Sequence, residues 1–579
     1  MPRASLRVVP FLLIVLGAGV ALGAGGCTAH GADDDAETGD DANLTEGSAE
    51  ARAVLALVNT PALTAEELLR EARVTLTIGQ AILDGRAQRP YSTLRQVDDV
   101  PGVGPATIGR LFEYAKRKGL YSPGGSTGES EVIFSPAPAE SSHLVRIAQE
   151  IDLAQKSIDI AIYSYSDAKI GEALARAAAR GVKCRFVFND APADARLPAE
   201  SQGASKSGKL ESNGVNVRFI NKIMHHKLMI VDGPRDEAAR AKTAHLVTGS
   251  ANWSSSAART FDENTVIFKG NEELVLRFQR EFDTMWSHSR DFAFKELPYE
   301  LSTLSIADGA IPDAPNTGVL FTSANFSVRD TTFSNTGANT VADALVAGIN
   351  SATRSIHIAS GHMRHRAVAE ALIAKKQAVP ALDVRVYLDS QEFIAKGTHD
   401  IQIEEVATCV AAAGDNAKKK AECLENDFLF GYQIGAAGID VRYKYYAYRW
   451  NHSYAPQMHH KFMIVDGSTL FSGSYNLSDN AEHATFENMM VLKGAENAAV
   501  VAKFEANFES IWKTGRDENK LGALQADIDQ PGDFPIVFDP MALTHAEVTA
   551  LKNKIRAACP VIDTIEYRSG AASHTVCRR

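Results

Sequence analysis

The chain has 579 residues, with 71 acids against 60 Lys and Arg and a formal net charge of -11. That length exceeds what one hydrophobic core serves well, so two to four domains are expected. Residues 31–50 hold eight Asp or Glu and no Lys or Arg, and residues 51–579 balance 63 acids against 58 bases, which excludes the global basic field of a dedicated nucleic-acid binder.

At the N-terminus Arg3 and Arg7 precede an apolar run, Val8 to Leu22, closed by the small residues Gly23 to Gly26. Residues 1–27 therefore read as a secretory signal, too short for a spanning helix. Cys27 after Gly25-Gly26 resembles a bacterial lipoprotein cleavage site, with Ala24 where Leu is usual. An exported chain is expected: periplasmic, an outer-membrane lipoprotein, or secreted. Residues 28–50 read as a disordered acidic linker. Of the six Cys, Cys409 with Cys423 and Cys559 with Cys577 are plausible disulfides in an oxidising compartment, and Cys184 in an apolar strand pattern is expected as a buried thiol.

Residues 51–122 form a small helical unit. In it, a helix around Leu94 stops at Pro101, a Gly102-x-Gly104 turn follows, and a second helix begins near Pro105. This resembles a helix-hairpin-helix module of DNA receptors and repair proteins, and a degenerate earlier copy is read at Leu63 to Arg86 with its turn at Thr77-Ile78-Gly79. Ala106 and Thr107 stand where that module carries a phosphate-binding base, although Lys116-Arg117-Lys118 cluster nearby. Nucleic-acid contact through residues 51–120 and a structural or docking role are both open.

After the linker Gly124 to Gly128 the chain repeats itself at long period. Residues 130–300 and 315–515 each read as strand, helix, strand, followed by a pair of apolar strands. The fold class expected is α/β, two sandwich halves after the small all-α domain. Residues 520–579 read as a C-terminal extension, with Thr544 capping a helix.

The repeat is sharpest in Met224-His225-His226-Lys227 to Asp232, which returns as Met458-His459-His460-Lys461 to Asp466. Gly249-Ser250-Ala251-Asn252 and Gly473-Ser474-Tyr475-Asn476 follow, and then Glu263 and Glu487. On a strand, residues two apart share a face, so His225 points with Lys227 and His459 with Lys461, while His226 and His460 face the opposite layer. That alternation disfavours a metal site built from His225, His226 and Asp232. A lone His-x-Lys is a common polar strand edge. Two copies with matched tails are not.

The paired pattern is that of the phospholipase D superfamily, in the compact style of its nuclease and cardiolipin-hydrolase branch, and it covers about residues 130–515. The resemblance implies halves packed about a pseudo-twofold axis, a phosphodiesterase reaction without metal or cofactor, and a phosphohistidine intermediate. It implies His225 as nucleophile and His459 as general acid, or the reverse. Lys227, Lys461, Asn252 and Asn476 would stabilise phosphoryl charge, Ser250 and Ser474 would meet substrate, Glu263 and Glu487 would orient the imidazoles, and Asp232 and Asp466 would support the site. The expected partner is a phospholipid or membrane surface, acted on by a monomer. The alternative is a secreted endonuclease cleaving DNA or RNA, guided by the helical unit. A non-catalytic DNA-binding or adhesion protein would require an idle His pair.

Overall fold

The computed structural model describes residues 49–118, 120, 129–447, 455–569 and 577, apart from 92, 313, 426–427, 531–536 and 563. The signal, Cys27 and most of the acidic linker lie outside the described residues, as do Tyr448, Trp450, His452 and Tyr454 near the second His cluster. Among the described residues no helix is long and apolar enough to cross a membrane.

The body is a mixed α/β fold with two eight-stranded sheets of the same strand order. In the first, Glu129–Ser135, Glu263–Lys269, His245–Gly249, Lys227–Val231, Ser157–Ile162, Lys183–Phe188, Val215–Phe219 and Arg290–Asp291 lie side by side. In the second, the order is Thr317–Phe321, Asn488–Leu492, Thr469–Gly473, Lys461–Val465, Ser355–Ser360, Asp383–Asp389, Asp440–Ala447 and Phe538–Thr544. The central strands are parallel and their neighbours antiparallel. Both central strands are almost wholly buried, as sheets covered on both faces must be. A core containing Leu228, Phe278 and Phe282 from the first half and Phe462, Phe504 and Phe508 from the second is continuous between them.

The last strand of the second sheet comes from beyond residue 515. Phe538–Thr544 pairs with Asp440–Ala447, so part of the expected C-terminal extension completes the sheet edge. Thr544 then caps the helix His545–Ala558 through a capping box with Glu547. Disulfides join Cys409 to Cys423 and Cys559 to Cys577, and Cys184 is a buried free thiol.

In the N-terminal unit, helices Leu94–Asp98 and Pro105–Arg117 flank Gly102, whose φ of +87° an L side chain would resist. The degenerate earlier turn is not formed: helix Leu76–Gln88 runs straight through Thr77-Ile78-Gly79, capped by Thr75, and the turn lies at Arg73 and Val74. Thr capping wins there because its hydroxyl accepts the Ile78 N–H.

Asp232 and Asp466 each follow one of the duplicated His-x-Lys strands in a left-handed conformation, φ +53° and +54°. Asp232 accepts from the backbone N–H of Gln155, Lys156 and Ser157, and Asp466 from those of Thr353, Arg354 and Ser355. Each ties the end of its strand to the start of the neighbouring one. Asp232 lies five residue steps beyond Lys227, roughly 16 Å at about 3.3 Å per residue, so neither Asp reaches its His. The carboxyl of Asp466 is held below its ordinary value: burial pushes it up, but the backbone donors outweigh that. The segment Pro234 to Thr243, polar and charged in sequence, nevertheless buries Arg235 against Asp159. Asp159 is also clasped by Arg185 at 2.7 Å, and the two guanidiniums outweigh its desolvation and hold it ionised.

Replacing either strand-end carboxylate strands several backbone donors. Asp232→Ala or Asp466→Ala is expected to lower unfolding free energy by about 2 kcal/mol in denaturant titration. An unchanged midpoint would refute the support role. For Asp466, whose folded pKa is depressed, the contribution is present above the ordinary carboxylate range and is lost as pH falls through the lower folded value.

Candidate active site

The segments just before the two His residues cross into the other half. Ile223–Met224 pairs in parallel with Thr485–Phe486, and His225 N donates to Phe486 O at 3.1 Å. In the mirror position Asp262 bridges Met458, and His459 N donates to Asp262 O at 3.0 Å. Phe486 and Asp262 immediately precede Glu487 and Glu263. Each His is thereby set beside the Glu of the opposite half.

His225 Nδ1 lies 2.9 Å from Glu487 Oε2, and His459 Nδ1 lies 2.6 Å from Glu263 Oε1. The Glu residues are exchanged between the halves, a pairing that the matched motifs alone do not indicate. A carboxylate at Nδ1 favours the tautomer that carries its proton there, with the lone pair on Nε2. The strands proper begin at Lys227 and Lys461, one residue beyond the second His of each pair. Lys227 Nζ donates to His225 O at 2.8 Å and Lys461 Nζ to His459 O at 2.7 Å, so each ammonium is locked beside its own His.

The alternation predicted for His226 and His460 holds, and their partners are also exchanged. Asn488 Nδ2 donates to His226 Nδ1 at 2.9 Å, and Asn264 Nδ2 to His460 Nδ1 at 3.1 Å. Each Glu-Asn pair thus grips both His residues of the opposite half, the Glu on the reactive side and the Asn behind.

Gly249 and Gly473 are required by close approach. A Cβ would come within 2.4 Å of Asn264 O at the first and 2.2 Å of Asn488 O at the second. Ser250 and Ser474, expected to meet substrate, are fully buried instead; their Oγ atoms accept from Asn264 N at 2.9 Å and Asn488 N at 3.0 Å. They fix the Glu-Asn pairs in place. Asn476 lines a cavity beside His225, and Asn252 Oδ1 is buried without a protein partner.

Four residues were not singled out from sequence. His143 bonds the Asn252 carbonyl through Nε2 at 3.0 Å and Ser135 through Nδ1. Tyr163 packs its ring 4.7 Å from that of His225. Lys444 and Asp262 form a buried pair at 2.8 Å between the halves, behind His459. None carries a local signature, because each acts through residues distant in the chain.

Burial dominates the electrostatics. It drives the imidazoles of His225 and His459 well below their ordinary value, helped by Lys227 and Lys461. It pushes Lys227 down to about 7 and Lys461 to about 8, against the pull of Glu487 and Glu263. The same burial raises both Glu residues to about 7. Neutral imidazoles flanked by cations are suited to attack an anionic phosphodiester.

Among the described residues, His357, Glu505 and Glu509 offer ligand atoms close enough together for a metal. Arg385 Nε donates to His357 Nε2 at 3.1 Å and its guanidinium pairs with Glu509 at 2.7 Å. Arg185 paired with Asp159 and Asp283 occupies the matching strand positions of the first half. The group is an ion network supporting the sheet.

A family model described as cardiolipin synthase, PLD-like domain matches residues 147–286 and 345–512, one stretch in each half and together more than half of the chain. The chain belongs to this family and carries its PLD-like catalytic domain. It is similar to the mitochondrial cardiolipin hydrolase of Mus musculus, 31% identical over 169 residues that cover 29% of this chain and 68% of that protein. The enzyme of the same name from Canis lupus familiaris is 28% identical over 171 residues, 29% of this chain and 60% of the relative. The chain thus spans about three fifths of that relative's length. Among solved structures it is similar to the phospholipase D family member NUC from Salmonella typhimurium, at 26% identity and a TM-score of 0.22, covering 28% of this chain and 97% of that one. It is also similar to phosphatidylserine synthase of Haemophilus influenzae Rd KW20, at 12% identity and a TM-score of 0.42, covering 65% and 85%.

The lowered Lys values set a pH dependence. As pH rises through 7 to 8 the free enzyme loses ammonium charge at Lys227 and then Lys461, so kcat/KM is expected to fall. A bound phosphodiester anion holds those protons on, so the same limb in kcat lies at higher pH. A kcat/KM profile flat to pH 10 would contradict this.

Proposed function

We propose that the protein is a metal-independent phosphodiester hydrolase or transferase that works through a phosphohistidine and acts on phospholipids. The observation that carries the proposal is the exchange of Glu partners, each held at the Nδ1 of the opposite half's His, which supports a shared centre in which both Nε2 atoms would act. The repeated strand order further supports a pseudo-twofold relation between them.

In the first step the bare Nε2 of one His attacks phosphorus and the P–O bond to the alcohol breaks, while the other His, taken up to the imidazolium when the phosphodiester anion binds, donates its Nε2 proton to the leaving oxygen. That His then takes a proton from water or a second alcohol, whose oxygen attacks phosphorus and breaks the P–N bond. Lys227, Lys461 and the amides of Asn252 and Asn476 would neutralise the non-bridging oxygens throughout. Glu263 and Glu487 would hold the tautomers. Asp232 and Asp466 serve the fold.

The alternative substrate is nucleic acid, favoured by the N-terminal helical unit. Its basic cluster is largely committed to the unit itself: Lys118 pairs with Glu67 at 2.5 Å, Arg117 bonds the Glu71 carbonyl, and Lys116 pairs with Glu113. Phospholipid is the better reading, and the name of the curated relatives points the same way.

The purified chain, assayed in EDTA, is expected to turn over phosphatidylcholine or cardiolipin vesicles in preference to single- or double-stranded DNA. His225→Asn and His459→Asn should each lower turnover at least about a thousandfold. Substantial activity in either variant would sink the paired mechanism, and DNA cleavage without lipid turnover would reverse the substrate order.

A further inference from the structure

The two halves differ where they face the shared centre. Counted from the matched strands Ser157–Ile162 and Ser355–Ser360, Ser164 and Ser166 of the first half correspond to His362 and Arg364 of the second. The backbone supports this register: Ser166 N donates to Trp253 O at 2.9 Å, and Arg364 N to Leu477 O at 2.7 Å. The second half thus brings an imidazole and a guanidinium where the first brings two hydroxyls.

Both residues line a cavity of about 340 Å³ together with His225, Asn476, Asn480 and Tyr163. The wall is rich in hydrogen-bond donors. Asn476 and Asn480 supply amides, and Arg364 is held against it by Glu392, to which its Nε donates at 2.9 Å. His362 is fixed through its main chain, its N donating to Ser360 Oγ at 3.2 Å and its O accepting from that hydroxyl at 2.7 Å. Its Nδ1 is buried with no hydrogen-bond partner. The carboxylate on this wall, Glu487, is engaged by His225 and by Thr485 Oγ1 at 3.0 Å.

Such a wall suits hydroxyls and disfavours a quaternary ammonium, which binds through aromatic faces and carboxylates. Tyr163 is committed: Lys227 Nζ sits 5.2 Å from its ring centroid and His225 packs against it. We infer that this cavity seats the alcohol portion of the phosphodiester, and that His362 selects an alcohol that keeps a free hydroxyl once esterified, such as glycerol, over choline by hydrogen-bonding that hydroxyl. The inference rests on the phospholipid reading and adds the preferred head group. A serine, as at position 164, is too short to make the same contact.

The test compares kcat/KM on phosphatidylglycerol and phosphatidylcholine vesicles for the unaltered chain, His362→Ser and His362→Gln. The unaltered chain is expected to prefer phosphatidylglycerol. His362→Ser should reduce the ratio about tenfold, one hydrogen bond's worth, and His362→Gln should restore part of it. A second arm needs no variant: with phosphatidylethanolamine vesicles and equal glycerol and choline, the unaltered chain should form more phosphatidylglycerol than phosphatidylcholine. Lipid turnover with an unchanged ratio in His362→Ser, or a preference for choline as acceptor, would overturn this inference alone. DNA cleavage with no lipid turnover would overturn it together with the reading beneath it.

Discussion

Two backbone hydrogen bonds between the halves, His225 N to Phe486 O and His459 N to Asp262 O, determine the geometry of the centre. Each is donated by the His itself to the residue immediately before the opposite Glu. Neither half can therefore orient its own imidazole. The composite centre exists only while the halves are docked, and a continuous apolar core through Phe278, Phe462 and Phe504 keeps them so. Conservation of partner types in both copies follows from this exchange, since loss of one Glu disables the His of the other copy.

The price of such a centre is buried charge. Two ammoniums and two carboxyl groups lie buried, and burial moves all four toward neutrality. A substrate phosphodiester brings the negative charge that the Lys residues lack in the free protein. Binding and ionisation are thereby coupled, which makes the site more positive when occupied than when empty. The rest of the fold compensates with neutral, fully committed groups: Ser250, Ser474, Asn264 and Asn488 spend their polar atoms on positioning, and Asp232 and Asp466 anchor the strand ends far from the chemistry.

Much of this was legible in the sequence because it is local or repeated. Strand alternation separated His225 from His226, and duplication predicted two halves whose sheets prove to share one strand order. The paired Cys residues and the Thr544 cap could be read from spacing and type. The exchange of Glu263 and Glu487 could not, because identical motifs in both copies are equally compatible with partners kept within each half. Ser250 and Ser474 misled for a related reason: a Ser beside a catalytic motif reads as a substrate contact until the buried Glu-Asn strand behind it is seen. Arg235 in a polar loop, His143 under Asn252 and the Asp262–Lys444 pair depend on contacts across the chain and leave no periodic trace. His362 is visible only by comparing the halves in register.

The central claim is that each reactive His is oriented by the Glu of the opposite half. The most direct measurement is NMR of ring N–H protons in histidine-labelled protein, with His225 and His459 assigned through their Asn variants. The strongly hydrogen-bonded Nδ1–H signal of His225 should be lost or moved upfield in Glu487→Gln and persist in Glu263→Gln, with the converse for His459. Loss of the His225 signal in Glu263→Gln, with retention in Glu487→Gln, would mean that each half keeps its own partner and would contradict the account.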